Sequence, residues 1–311
     1  MLFLPLLTHG EAGIETTNMA ESISPYALTT LQRVKDRIFD TNTGATQPSS
    51  FDSVLTRMIN SCTDWFEQEC GGRRFVLTLY ANDIYTAYNH RQKKLVLRQA
   101  PVFFNTVTGT FTAGSTSVTG VSSTTGMVIG MPIASDNIQG TTTLNGDQVR
   151  NYITGISGST ITLAAAATRS ETGGYLQVNG LIKLQWRAGQ PATAPSWFTF
   201  LADQYELINN GKAGCVRLYG FIPHIRENMV RATYYAGYPV NWSNAGDNST
   251  HLLPAEISNT VENLVVRAFK RRAIPGKSSE SLAGSTVSWN KEIDDEDKAV
   301  IDHYRRAPTI F

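Results

Sequence analysis

The sequence predicts an α+β protein: a helical-hairpin or bundle core carries a small mixed sheet, with an all-β domain inserted into it. Three observations carry this expectation. Towards both ends of the chain, apolar residues recur at three- and four-residue steps, the helical period. Between those segments the period changes to two, as in half-buried strands. The interval 105–178 differs in composition: its charged residues are Asp136, Asp147, Arg150, Arg169 and Glu171, it has no lysine, and Thr, Ser and Gly dominate. The expected organisation is an N-terminal arm (1–23), a core made of 24–104 and 179–274, the inserted β domain (105–178), and a linker with a C-terminal helix (275–311).

The helical elements come first. Ser24-Pro25 opens a segment in which Leu28, Leu31, Val34, Ile38 and Phe39 share a stripe. After a polar loop, Pro48-Ser49-Ser50 starts a second helix with Phe51, Val54, Leu55, Met58, Ile59, Cys62 and Phe66 on one side. Gly71-Gly72 suits the left-handed cap that ends it. Leu253-Pro254 opens a third helix along Ile257, Val261, Leu264, Val265 and Phe269. Its last turns carry Arg267, Lys270, Arg271 and Arg272, which complement the helix dipole.

The strands derive from alternation. Phe75–Tyr80, Lys94–Arg98, Leu181–Trp186 and Met229–Tyr235 read as strands, and Tyr205–Asn209 with Gly214–Tyr219 as a hairpin. In the interval 105–178, Ser117–Val121, Gly126–Ile129, Tyr152–Ile156 and Thr160–Leu163 are short runs between glycine turns. They predict a small sandwich or barrel. Flanking strands that pair would bring its two ends together, as an insertion requires.

The 311 residues carry 27 Lys+Arg against 26 Asp+Glu, a formal charge of +1. Such a balance argues against coating nucleic acid by bulk electrostatics. Cys62, Cys70 and Cys215 are too few for a disulfide framework. Met1–Leu7 is apolar, but it lacks a preceding basic region and is broken by Pro5, so it reads as an arm. No apolar run approaches the roughly 20 residues of a membrane span. No zinc spacing, phosphate-binding loop or nucleophile constellation stands out, so neither an enzyme nor a cofactor is expected.

The C-terminal segment is the strongest candidate for an interaction site. Asp294, Asp295, Glu296 and Asp297 fill a first helical turn, and Val300, Ile301 and Tyr304 form a short apolar stripe before Arg305 and Arg306. A helix so short is marginal alone. A Gly/Ser-rich linker, Pro275–Ser285, precedes it, so a partner is expected to order it. The basic group Arg267, Lys270, Arg271 and Arg272 reads as a solvated or interface-facing end of the third helix.

The order of these features is distinctive. It runs from the hairpin YALTTLQRVKDRIF and FDSVLTRMINSCTDWFEQECG to the strand start GGRRFVLTLY. RENMVRATYYAGY leads into LPAEISNTVENLVVRAFKRR, and DHYRR ends the pattern. Outside the insertion and the arm, it resembles the head–tail connector (adaptor, or head-completion) proteins of long-tailed bacteriophages. The resemblance implies a structural virion protein, assembled in the host cytoplasm. Copies would form a dodecameric ring beneath the portal protein, extend the DNA channel without sequence-specific contacts, and receive the tail or a second adaptor. The C-terminal helix would dock on the portal. The Gly/Thr/Ser-rich insertion departs from compact members and leaves an alternative open: a tail or baseplate protein with a carbohydrate- or partner-binding β domain.

Overall fold

The computed structural model describes residues 22–39, 48–87, 93–144, 147–188, 196–219, 226–240, 253–272, 279–282, 285–288 and 293–305. In chain order, helices α1 (Leu31–Ile38) and α2 (Asp52–Glu69) precede strands β1 (Thr78–Ala87) and β2 (Lys94–Val96). Next come β3 (Phe104–Phe111), β4 (Ser117–Val118), β5 (Ile133–Ala134), β6 (Thr141–Leu144) and β7 (Asp147–Arg150). β8 (Ile153–Ser157), β9 (Thr160–Leu163) and β10 (Glu171–Asn179) complete that run. β11 (Leu181–Ala188), β12 (Ser196–Thr199), β13 (Tyr205–Leu207), β14 (Cys215–Leu218) and β15 (Arg226–Ala236) lead to α3 (Ala255–Arg272). A hairpin of β16 (Ser279–Leu282) and β17 (Ser285–Ser288) precedes α4 (Asp295–Tyr304).

This architecture corrects the expected fold class. The described residues are mostly β, with 37% strand against 28% helix, so the centre is not a helical bundle with a small sheet. The sheet is not mixed either: every ladder between named strands is antiparallel. The reason lies in where apolar surface is buried. One core gathers the sheet β1-β15-β11-β12 and the sheet β13-β14-β2 around Leu97, Leu184, Val216, Val230 and Tyr234. A second joins Leu28, Leu55, Ile59, Phe66, Phe75, Ile257, Val261 and Val265 from the helices and the chain beside them. The third lies within 103–178, around Phe111, Val118, Met131, Ile153, Ile161 and Leu176. The helices thus form one layer beside a larger β body.

Local chemistry explains the altered boundaries. α1 begins at Leu31 because the Thr30 side chain caps it, accepting from the Arg33 N–H at 3.2 Å. Ala27 and Leu28, before the cap, are fully buried without being helical. α2 stops where Gly71 and Gly72 take φ of 82° and 70°. β1 continues past Tyr80 because a register shift around Asn82, with φ 56°, changes the parity of its inward side chains. Tyr80 pairs opposite Tyr234 before the shift, and Asp83 and Tyr85 oppose Ala232 and Val230 after it. A strict period of two is lost at that point.

Two features place the interval 105–178. Its first and last strands pair antiparallel, with Phe104 opposite Asn179, so the chain enters and leaves side by side. A second contact goes beyond what a single-loop attachment requires. Arg150 of β7 donates to the Ala202 carbonyl at 2.9 Å and the Tyr205 carbonyl at 2.6 Å, and its guanidinium lies 4.9 Å from the Tyr205 ring centre.

The C-terminal expectation also needs correcting. Part of the expected linker is strand, since Ser279–Leu282 pairs with Ser285–Ser288. The stripe of α4 is spent on the chain's own helical core: Ile301 and Tyr304 are buried there and Val300 packs against it. Ile301→Ala should therefore lower the unfolding free energy by about 2–5 kcal/mol, the usual cost of such a truncation in a core. Urea unfolding of the purified protein checks this. An unchanged midpoint would mean that α4 does not contribute to the fold.

Candidate functional site

The residues expected to dock on a partner and the expected basic group meet each other. α4 lies along α3, and Arg267 of α3 forms ion pairs with both Asp294, at 3.0 Å, and Asp297. The Asp297 side chain is only 4% exposed. Asn263, one turn before Arg267, donates its side-chain amide to Asp297 Oδ1 at 3.2 Å. The Arg267 guanidinium offsets the charge of this deeply buried carboxylate, and the Asn263 amide bonds one of its oxygens.

The remaining predicted residues divide between packing and exposure. Tyr304 stacks edge-on against Phe75, with centroids 5.7 Å apart, and its hydroxyl donates to Glu256 of α3. Burial and that neighbouring carboxylate push the hydroxyl well above the usual tyrosine range. Arg305 donates to the Glu69 carbonyl at the end of α2, at 3.0 Å, and pairs with Asp302. Arg272 lies over the rings of Phe51 and Phe269, both 5.3 Å away, and Phe269 packs edge to face with Phe39. Asp295, Glu296, Lys270 and Arg271 are exposed. Arg306 lies outside the described residues.

Some residues that organise this region were not singled out from the sequence. Arg73 donates to the Ala100 carbonyl at 2.7 Å and to the Tyr304 carbonyl at 3.2 Å, so it caps the C-terminal end of α4. Its guanidinium also lies 5.1 Å from the Phe75 ring centre. Glu67 accepts from the Phe75 N–H at 3.1 Å and from Arg74 at 2.8 Å, although burial still pushes its carboxyl upward. Glu262, 3% exposed, accepts from Thr29 and pairs with Arg33 at 2.7 Å and Arg37 at 3.5 Å. Arg33 and Arg37 stand four residues apart on α1, and that spacing is the available sequence signal.

Between α2 and α3 lies a cleft of about 390 Å³ lined by Trp65, Leu264, Arg271 and Cys62. Leu264, expected in the core, is only partly buried at its wall. Burial pushes the Cys62 thiol up to about 11 and the Cys70 thiol to about 12, so neither is an activated nucleophile. Among the described residues, no group of three or more His, Cys, Asp or Glu is placed to hold a metal ion. No helix among them is long and apolar enough to cross a membrane. A scan against protein-family models gives no match for this sequence, and a search of curated proteins gives none either.

The Arg267–Asp297 pair makes a direct prediction. Arg267→Ala should cost about 3–5 kcal/mol, because it strands a buried carboxylate. Adding Asp297→Asn should recover part of that loss. Thermal unfolding of both variants checks the coupling, and strictly additive losses would count against it.

Proposed function

We propose that the chain is a structural virion protein: one subunit of a ring between the portal and the tail of a long-tailed bacteriophage. The observation that carries this reading is the packing of the segments in which the resemblance resides. α1, α2, the Arg73–Phe75 corner, Tyr238 at the end of the TYYAGY run, α3 and α4 all contribute to a single core. Residues more than 200 positions apart are in contact there, as in the bonds from Thr29 and Arg73 to Glu262 and Tyr304. Supporting it further, the charge of +1 suits a channel that DNA must pass through rather than adhere to.

In this reading the copies form a closed ring, proposed as a dodecamer. They extend the DNA channel, with the portal on one side and the tail or a second adaptor on the other. The role is mechanical rather than catalytic. The portal contact proposed for α4 shifts from its apolar stripe to its exposed acids, Asp295 and Glu296, since Ile301 and Tyr304 already pack inside the subunit. Charged rim residues of this kind steer association more than they hold it.

Electron microscopy of the purified chain, alone and mixed with tailless DNA-filled heads, tests the proposal. Ring-shaped particles with a central channel, and heads carrying the ring at one vertex, are the expected result. A monomer at high concentration that leaves the heads bare would overturn it.

A further inference from the structure

We infer that the outer face of the inserted β unit is a binding site for a neutral saccharide. The site is a cleft of about 330 Å³ beside β10, bounded by Ser135, Asp136, Asn137, Glu171, Tyr175 and Gln177. It is separate from the helical region and stands independently of the connector proposal.

The cleft combines an open aromatic ring with polar groups, of which Asn137 and Glu171 are bonded to each other. Tyr175 and Gln177 are alternate residues of β10, so both side chains stand on the same face of the sheet. Their ladder partners are short: Thr108 lies opposite Tyr175, while Thr106 and Ala134 flank Gln177. Nothing large crowds the tyrosine, which is 72% exposed. An aromatic on a strand ordinarily covers its neighbours. This one projects above them at the rim of a polar hollow.

The polar side of the hollow is held in place. Asn137, 5% exposed, donates its side-chain amide to the Glu171 carboxylate. Its backbone carbonyl accepts from the Thr168 N–H at 2.8 Å, and its own N–H donates to Ser135 Oγ at 3.2 Å. Gly174 makes the space: a Cβ there would lie 2.6 Å from Asn137 Nδ2 and 3.0 Å from Glu171 Oε2. Glycine in mid-strand is a cost that a close approach of this kind explains. Groups fixed before binding lose little freedom when a ligand arrives.

Such a set matches the two surfaces of a sugar ring. The negative face of the tyrosine attracts the polarised C–H groups on one side of a pyranose. Vicinal hydroxyls, each both donor and acceptor, match the Asp136 and Glu171 carboxylates and the Gln177 amide. Among the described residues no cationic side chain borders the cleft, and two carboxylates do, so sialylated, sulfated and uronic sugars are repelled.

The full chain is to be screened against immobilised neutral oligomers of glucose, galactose, mannose and N-acetylglucosamine, with sialylated and sulfated glycans alongside. At least one neutral oligomer should be retained, and no acidic glycan should be preferred. Tyr175→Ala should weaken the interaction by roughly tenfold or more, while Tyr175→Phe retains it. Because the side chain is exposed, both variants should melt like the wild type. Failure to retain any neutral oligomer at millimolar concentration overturns the inference. So does preference for acidic glycans, or undiminished binding by Tyr175→Ala. None of these results bears on ring formation.

Discussion

The corner at residues 71–75 is the constraint on which the rest of the structure depends. There the chain leaves α2 and enters the β body, and Arg73 spans the junction. Its guanidinium bonds the Ala100 carbonyl on one side and the last carbonyl of α4 on the other. Charge-assisted bonds of this kind are among the stronger ones in a protein. Beside it, Glu67 receives the Phe75 N–H and Arg74, a donor set that offsets part of the desolvation of a buried carboxylate. The next residue but one, Phe75, inserts between Phe66 and Tyr304. One short segment thereby touches the helical layer, the strand connection and the C-terminal helix.

Around that corner, distant parts of the chain are tied by ion pairs to buried carboxylates rather than by proximity in sequence. Glu262 draws α1 onto α3 through Arg33 and Arg37, and Asp297 draws α4 onto the same helix through Arg267. Pairs of this type add little net stability over an apolar core, but breaking one is costly. They set which helix faces which. The inserted β unit is fastened in a similar way, by Arg150 reaching the carbonyls of Ala202 and Tyr205.

Much of this is readable in the sequence where one local rule governs. α2 is legible in its stripe and in the two glycines that end it. The short strands of 105–178 are legible in the alternation between glycine turns. Legibility ends where two rules compete: Thr29 and Thr30 fall between the stripe residues Leu28 and Leu31, yet the Thr30 hydroxyl caps α1 and the Thr29 hydroxyl donates to Glu262. At Asn82 a register shift reverses the parity of β1, so a strand that continues to Ala87 reads as ending at Tyr80. The same competition hides the fold class, since helical stripes are long and conspicuous while the sheet strands are interrupted by bulges and polar residues. For the candidate site, the helix itself is evident but not what covers it. An apolar stripe requires a partner surface, and periodicity cannot say whether that surface belongs to another protein or to the same chain.

The central claim is that α4 belongs to the folded chain and is held there through Arg73. Native-state hydrogen exchange measures this directly, because amide protection reports local opening free energy. The backbone amides of Lys298–Tyr304 should exchange as slowly as those in the middle of α3, and Arg73→Ala should speed α4 selectively. Exchange of α4 at the rate of an unstructured peptide in the wild type would contradict the account, as would an Arg73→Ala variant with unaltered α4 protection.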